Sequence, residues 1–405
     1  MSAVDVAMVS PYPSQQVATM LPSGVAGYTA RLASALTDEG LRVRVLAPAV
    51  EGEPSLTRVD GVTVERSYRR GVTALPAAAT AAGRSAAPVV HLQFETFLYG
   101  GPLSIPGVAP ALAALRGRQQ GPVVTMHQVV DPGSVNRDFT RVHRVRVPHQ
   151  VARAGLSTIQ RTVLALSAAT VVHERAFERI MPSSVVVPHG IDVGGAVNPD
   201  EVRAAKESLG LNPDRLTALC FGFLSPYKGL EVALEGAALA GEAVELVVAG
   251  GSHPRLDGHD PYASDLQRHY GHVARFSGYV TEPAVPTFFR AADVLLLPYL
   301  VPFASSGPFA LALGFGTPVL CSPALARCLG ASPAMSVPME PESVAERLIE
   351  LAANPVRLRE VSAATQQLAG GRTWPDVARR HVALYEEVID ASGTAGRRVR
   401  PGKPG

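Results

Sequence analysis

Lysine is rare in this chain: Lys206, Lys228 and Lys403 are the only three among 37 basic residues in 405. Lys228 stands in Phe-Gly-Phe-Leu-Ser-Pro-Tyr-Lys-Gly, residues 221–229. The apolar run 216–221 predicts a buried strand that breaks at Gly222, and residues 230–239 predict an amphipathic helix opened by Lys228 and Gly229. A lysine at a helix start, above the carboxyl end of a parallel strand, suits a phosphate. The ammonium supplies a point charge and the helix end supplies unpaired N–H groups. A surface lysine at the start of a helix is the plainer alternative. Downstream, the short apolar run 292–297 ends at Pro298 and is followed by Ser305-Ser306-Gly307-Pro308. That tetrapeptide is a helix start, with hydroxyls for capping, a glycine for close backbone approach and a proline tolerated at the first position. Taken alone it reads as an ordinary capped helix over 309–314.

Two strand-to-helix joints of this kind must be carried by parallel sheets. Strand and helix signals alternate along the chain, which predicts an α/β fold of two doubly wound, Rossmann-like domains. Strands are expected near 4–9, 43–47, 89–92, 122–126, 170–172 and 184–187, then near 216–221, 244–248, 273–277, 294–297 and 318–321. The expected boundaries are a first domain over 1–190, a second domain over 191–372, a final helix over 373–390 and a disordered tail over 391–405. The tail is rich in Arg, Gly and Pro. Helices are also expected near 341–353 and 356–369.

The order of these segments resembles the family 4 retaining glycosyltransferases, of the group 1 type and GT-B fold, over roughly residues 4 to 390. Ser23-Gly24-Val25-Ala26-Gly27-Tyr28 is similar to the family's glycine loop, which implies a phosphate-side role for Gly24 and Val25. His91-Leu92-Gln93-Phe94-Glu95 through Tyr99-Gly100-Gly101 is similar to a stretch of one bacterial subgroup, which implies acceptor-side roles for Gln93 and Glu95. Val123-Val124-Thr125-Met126-His127 matches a strand ending in an active-site histidine, so His127 is the implied catalytic residue. Val187-Pro188-His189-Gly190-Ile191-Asp192 matches the segment that joins the two domains. Val247-Val248-Ala249-Gly250 and Phe276-Ser277-Gly278-Tyr279-Val280 complete the series. The resemblance implies that the two domains face a central cleft, with 1–190 as the acceptor-side domain and 191–372 as the donor domain, and that the donor site is made by Gly222, Lys228, Gly250, Tyr279, Val280, Ser305, Ser306 and Gly307.

Two departures from the family pattern stand out. A pair of glutamates eight positions apart is replaced by Phe303 and Leu311, and an arginine just after the glycine that ends the first strand of the second domain is replaced by Phe223. A subgroup with Ser-Ser-Gly in place of the first glutamate is similar to this chain, which implies a variant donor site.

Composition narrows the remaining possibilities. A net charge of +2 argues against nucleic acid as a partner. Cys220, Cys321 and Cys328 lack metal or disulfide spacing and read as small buried hydrophobes of a reducing compartment. Neither a signal peptide nor an apolar run of the ~18 residues needed to span a bilayer is evident, so a cytoplasmic protein is expected. The basic stretch Arg137–Arg153 is expected to be a solvated loop and helix face, or part of an acceptor or membrane-facing surface. Asp-x-Asp, Gly-x-Gly-x-x-Gly after the first strand, a Walker loop and a zinc-protease helix are all missing. The resemblance implies a metal-independent transfer of sugar, with retention, from a nucleotide-diphosphate donor to an acceptor hydroxyl, with no cofactor. The acceptor would be a small molecule, a lipid-linked group or a saccharide. The alternatives are a nucleotide-sugar-binding pseudoenzyme and a sugar-nucleotide epimerase on the same fold.

Overall fold

The computed structural model describes residues 4–14, 24–119, 121–194, 198–252, 260–302 and 306–391. The tail beyond 391, and with it the expectation of disorder there, lies outside the described residues. The first sheet contains β1 Val6–Val9, β2 Val43–Pro48, β3 Leu56–Val59, β4 Val62–Tyr68, β5 Val89–Phe94, β6 Val123–Met126, β7 Ala169–Val172 and β8 Val185–Val186. Their order is β3-β4-β2-β1-β5-β6-β7-β8. The second sheet contains β9 Leu216–Phe221, β10 Val244–Ala249, β11 Ala274–Gly278, β12 Val294–Leu297 and β13 Val319–Cys321, in the order β11-β10-β9-β12-β13.

Strands such as β1 (Val-Ala-Met-Val) and β12 (Val-Leu-Leu-Leu) are buried along their whole length. Helices cover both faces of a parallel sheet, so its central strands carry continuous apolar runs. The hairpin β3–β4 was not expected. β3 pairs antiparallel with β4 at the sheet edge, and β4 alternates buried with half-buried residues, placing Glu65 among valines. That period of two left no apolar run to detect.

Each sheet is wound outward from its middle, so its strand order reverses once: between β1 and β5, and between β9 and β12. Ligands of open α/β sheets bind at such reversals, outside the carboxyl ends of the strands. Gly222 and Lys228 follow β9, and the helix Gly307–Phe315 follows β12. The second reversal therefore lies between the two joints singled out above.

Several contacts tie the two sheets together. The Ile191 N–H donates to the Arg372 carbonyl at 2.8 Å. The helix Trp374–Ala391 then packs Trp374, Val377, Leu384 and Tyr385 into the core of the first sheet. Arg372 makes two bonds to Glu174, at 3.1 and 3.0 Å, and both side chains are buried. Arg31 on the helix Gly24–Asp38 pairs with Asp192. The loops at the carboxyl ends also meet, with Val301 packed against Val130, Val135 and Phe139. His143 stacks on Tyr227 at 5.3 Å between ring centroids, and Arg144 pairs with Asp260 at 2.9 Å. In the stretch Arg137–Arg153 the arginines are exposed, as expected of a solvated face, but His143 and Arg144 also reach the second domain, which was not expected. The helix Arg137–Val142 carries His143 and Arg144 onto the second domain, while the next helix, His149–Leu166, keeps its arginines exposed.

Candidate functional site

The second-domain half of the site is built around Gly222. Its φ of +96° is left-handed, and a Cβ there would stand 2.9 Å from Lys228 Nζ and 3.4 Å from Pro308 Cγ. A Cβ on Gly250 would fall 2.2 Å from the Gly222 carbonyl oxygen. Only glycine at these two positions lets the ends of β9 and β10 and the start of the helix Gly307–Phe315 come together. Lys228 does not open the following helix as expected. It ends a short 3-10 turn, Pro226–Lys228, and a left-handed Gly229 separates it from the helix Leu230–Ala240. The turn directs its side chain back toward the strand end.

Lys228 is 7% exposed, which sets aside the surface-lysine alternative. Its Nζ donates to the Phe221 carbonyl oxygen at 3.3 Å, and among the described residues no carboxylate pairs with it. Burial lowers its pKa to about 8, against a small opposing contribution from the Cys220 thiol. An ammonium carries three donors, so a buried one with a single carbonyl partner among the described residues is an uncompensated charge. Lys206 is the opposite case, a buried lysine paired with Asp293 at 2.6 Å.

Ser306 caps the helix that follows β12. Its Oγ accepts from the Phe309 N–H at 3.2 Å and lies 3.3 Å from the Tyr299 hydroxyl. Its oxygen is thereby occupied, and the helix start offers a ligand chiefly the Gly307 N–H, since Pro308 has none. Ser305 and Phe303 lie outside the described residues. Leu311 is half-buried and packs against the second-domain core. Tyr279 is 54% exposed with its Cβ beside Gly251, and Val280 packs against the core.

In the first domain His127 follows β6 and is 8% exposed. Its Nε2 lies 2.8 Å from Gln93 Oε1 and its Nδ1 lies 3.3 Å from His173 Nε2. The Tyr28 ring meets it edge-on at 4.8 Å. Burial, reinforced by His173, His189 and His91, holds its pKa well below the usual imidazole value, so it is neutral. Gln93 has no exposed surface and bonds to histidines on either side, which removes its side chain from the acceptor contact expected of it. Glu95 is half-buried after β5, and its charge acts on the Tyr227 phenol of the other domain, which burial already pushes up. Gly24 opens its helix in open space, while the Val25 side chain is buried in the core and leaves only its backbone for a phosphate.

The sequence pointed to neither Tyr28, which lies in the glycine loop, nor His173, which directly follows β7. The Tyr28 ring touches His127, His173, His189 and Trp374, and its buried hydroxyl has no partner among the described residues. An open groove of about 450 Å³ lies where Pro132 and Gly133 face Gln150, Arg153, Ser157 and Arg161. Its arginines were visible only as scattered charge. Among the described residues no three His, Cys, Asp or Glu side chains converge as metal ligands, and no helix is long and apolar enough to cross a membrane.

Residues 215–354 match the family described as Glycosyl transferases group 1. The chain is 25% identical to a phosphatidyl-myo-inositol mannosyltransferase of Mycobacterium leprae, over 98% of this chain and 99% of that protein. Among solved structures it is similar to a sucrose-phosphate synthase of Thermosynechococcus elongatus, with a TM-score of 0.70 and 17% identity over 95% of this chain and 99% of the other. It is also similar to Anabaena Alr3699/HepE in complex with UDP and glucose, with a TM-score of 0.68 and 14% identity over 96% and 100%. The architecture is that of the GT-B glycosyltransferases. The family match spans Gly222, Lys228 and Gly307, and with the full-length relative it supports a glycosyltransferase.

Proposed function

We propose that this protein transfers a sugar from a nucleoside diphosphate to an acceptor hydroxyl, with retention of configuration and without a metal ion. The observation that carries the reading is Lys228, a buried ammonium with no counter-charge among the described residues, at the second strand-order reversal. A diphosphate supplies the missing charge. It sits between Lys228 and the Gly307 N–H, with the nucleoside toward Gly250, Tyr279 and Val280. In the transfer step the acceptor oxygen bonds to the anomeric carbon on the face that the diphosphate leaves. The departing oxygen takes the bonding electron pair and then the acceptor's proton. Lys228 and the helix end stabilise the growing negative charge, in place of a metal. Neutral His127 lies near the sugar, and no carboxylate nucleophile takes part.

HepE was crystallised with UDP-glucose, which supports a nucleotide-sugar donor here. The mycobacterial relative is named for phosphatidyl-myo-inositol, which makes anionic lipid headgroups worth testing as acceptors. The groove with Arg153 and Arg161 suits a phosphate-bearing acceptor. In this reading the protein works in the cytoplasm, with peripheral membrane contact where the acceptor is a lipid. Incubation with a panel of nucleotide sugars and candidate acceptors tests the proposal. Transfer yields nucleoside diphosphate and a new glycoside together, an epimerase yields no glycoside, and a pure binder yields neither.

A further inference from the structure

The buried histidines of the first domain form one hydrogen-bonded chain. The Tyr385 hydroxyl lies 2.7 Å from His91 Nδ1, and His91 Nε2 lies 2.8 Å from Thr125 Oγ1 and 3.3 Å from the Gln93 amide. The other end of that amide lies 2.8 Å from His127 Nε2, His127 Nδ1 lies 3.3 Å from His173 Nε2, and His173 Nδ1 lies 2.9 Å from the Val187 carbonyl oxygen.

A carbonyl oxygen only accepts, and that sets the direction of the whole chain. His173 must donate from Nδ1 to Val187, so in the neutral ring its Nε2 is a bare acceptor. His127 must then donate from Nδ1, which leaves its own Nε2 bare. Gln93 must meet that nitrogen with an N–H. A half-turn of the amide exchanges its oxygen and nitrogen and displaces no neighbour. With Gln93 so turned, His91 donates from Nε2 to Thr125 and the Gln93 oxygen, and accepts at Nδ1 from Tyr385. The opposite amide orientation leaves two bare nitrogens facing each other between His127 and His173. Only an added proton would relieve that, and burial lowers the pKa of both rings.

We infer that Gln93 and His173 are positioning residues that hold His127 as the neutral Nδ1–H tautomer, with Nε2 as a hydrogen-bond acceptor. A substrate hydroxyl that takes the place of Gln93 at Nε2 therefore arrives as a donor. The neighbours that could shift His127 electrostatically are His173, His189, His91 and the Tyr28 phenol. The Arg372 guanidinium acts on His173 and His189, and Arg31 and Asp192 act on His189.

Long-range proton–nitrogen NMR of the full chain labelled at histidine reads this pattern at pH 7.5 without any substrate. The functional consequence rests on the proposed sugar transfer, but the spectra do not, so failure of one is distinguishable from failure of the other. The expected result is Nδ1–H for His127 and His173 and Nε2–H for His91. Gln93→Met keeps Nδ1–H on His127, shifts its Nε2 signal toward a nitrogen without a hydrogen bond, and lowers turnover with unchanged nucleotide affinity. His173→Leu releases the direction, so His127 moves to the Nε2–H form. If His173→Leu does not fold, the wild-type pattern alone decides. Nε2–H on wild-type His127, Nδ1–H on His91, or an imidazolium at His127 overturns the inference.

Discussion

Replacing Lys228 by methionine should stabilise the protein and weaken its hold on nucleotide. The folded pKa of about 8 lies below the ordinary 10.5, so the folded state binds its lysine proton more weakly than the unfolded chain does. The charged lysine therefore destabilises the fold at every pH below about 8. The penalty fades as the pH rises from 8 toward 10.5. A shift of that size corresponds to about 3 kcal/mol. Methionine keeps the length of the side chain, removes the charge, and forfeits the bond to the Phe221 carbonyl, which offsets about 1 kcal/mol. The net expectation is a gain of about 2 kcal/mol at pH 7, read as a higher urea midpoint with an unchanged slope. Loss of a charge-assisted phosphate contact, worth about 1.5–3 kcal/mol, should weaken nucleoside diphosphate binding tenfold or more in calorimetry. In the wild type, binding at pH 8.5 should take up protons, because the diphosphate restores the charge on Lys228. A mutant that is less stable and binds nucleotide as well as the wild type would refute this reasoning.

His127→Asn should reduce turnover far more than nucleotide affinity, and equal losses in steady-state kinetics and calorimetry would count against the placement of His127 near the sugar. Leu311→Glu should tighten nucleotide binding if the half-buried Leu311 stands where a ribose-binding carboxylate fits, and a thermal-shift titration with UDP, GDP, ADP and dTDP reads the change. Glu174→Gln should destabilise by about 3–5 kcal/mol, because it leaves Arg372 buried without its counter-charge, and urea unfolding monitored at the single tryptophan measures it. Stability should also fall as the pH drops below 6.5. His173, His189 and His381 have folded pKa values near 3, 4 and 4, so unfolding takes up protons through that window, and a melting temperature flat from pH 7 to 4.5 would contradict it.

The strands of both sheets were legible because helices cover both faces, and a segment such as Val294–Leu297 then has no polar residue to disguise it. The strand Val62–Tyr68, one in from the sheet edge, was not, since one of its faces is only half-buried and carries Glu65. Lys228 was legible as a cation at a joint, but its burial depends on the turn Pro226–Lys228 folding it back onto Gly222. The roles of Gln93 and His173 could not be read at all. They follow from register: β5 and β6 place Gln93 opposite Thr125, and β6 and β7 place Met126 opposite Val172. His127 and His173 then leave adjacent strand ends side by side, with Gln93 next to them. The contact of His143 and Arg144 with the second domain likewise depends on how the two sheets face each other.

The central claim is sugar transfer from a nucleotide sugar held at Lys228 and the start of the helix Gly307–Phe315. One measurement addresses it most directly: release of nucleoside diphosphate and formation of glycoside, followed together for the wild type and Lys228→Met across a donor and acceptor panel. The account predicts equimolar formation of both products by the wild type with at least one pair, and loss of both in the folded mutant. Glycoside formation undiminished in Lys228→Met, or diphosphate release with no glycoside for any acceptor, would contradict it.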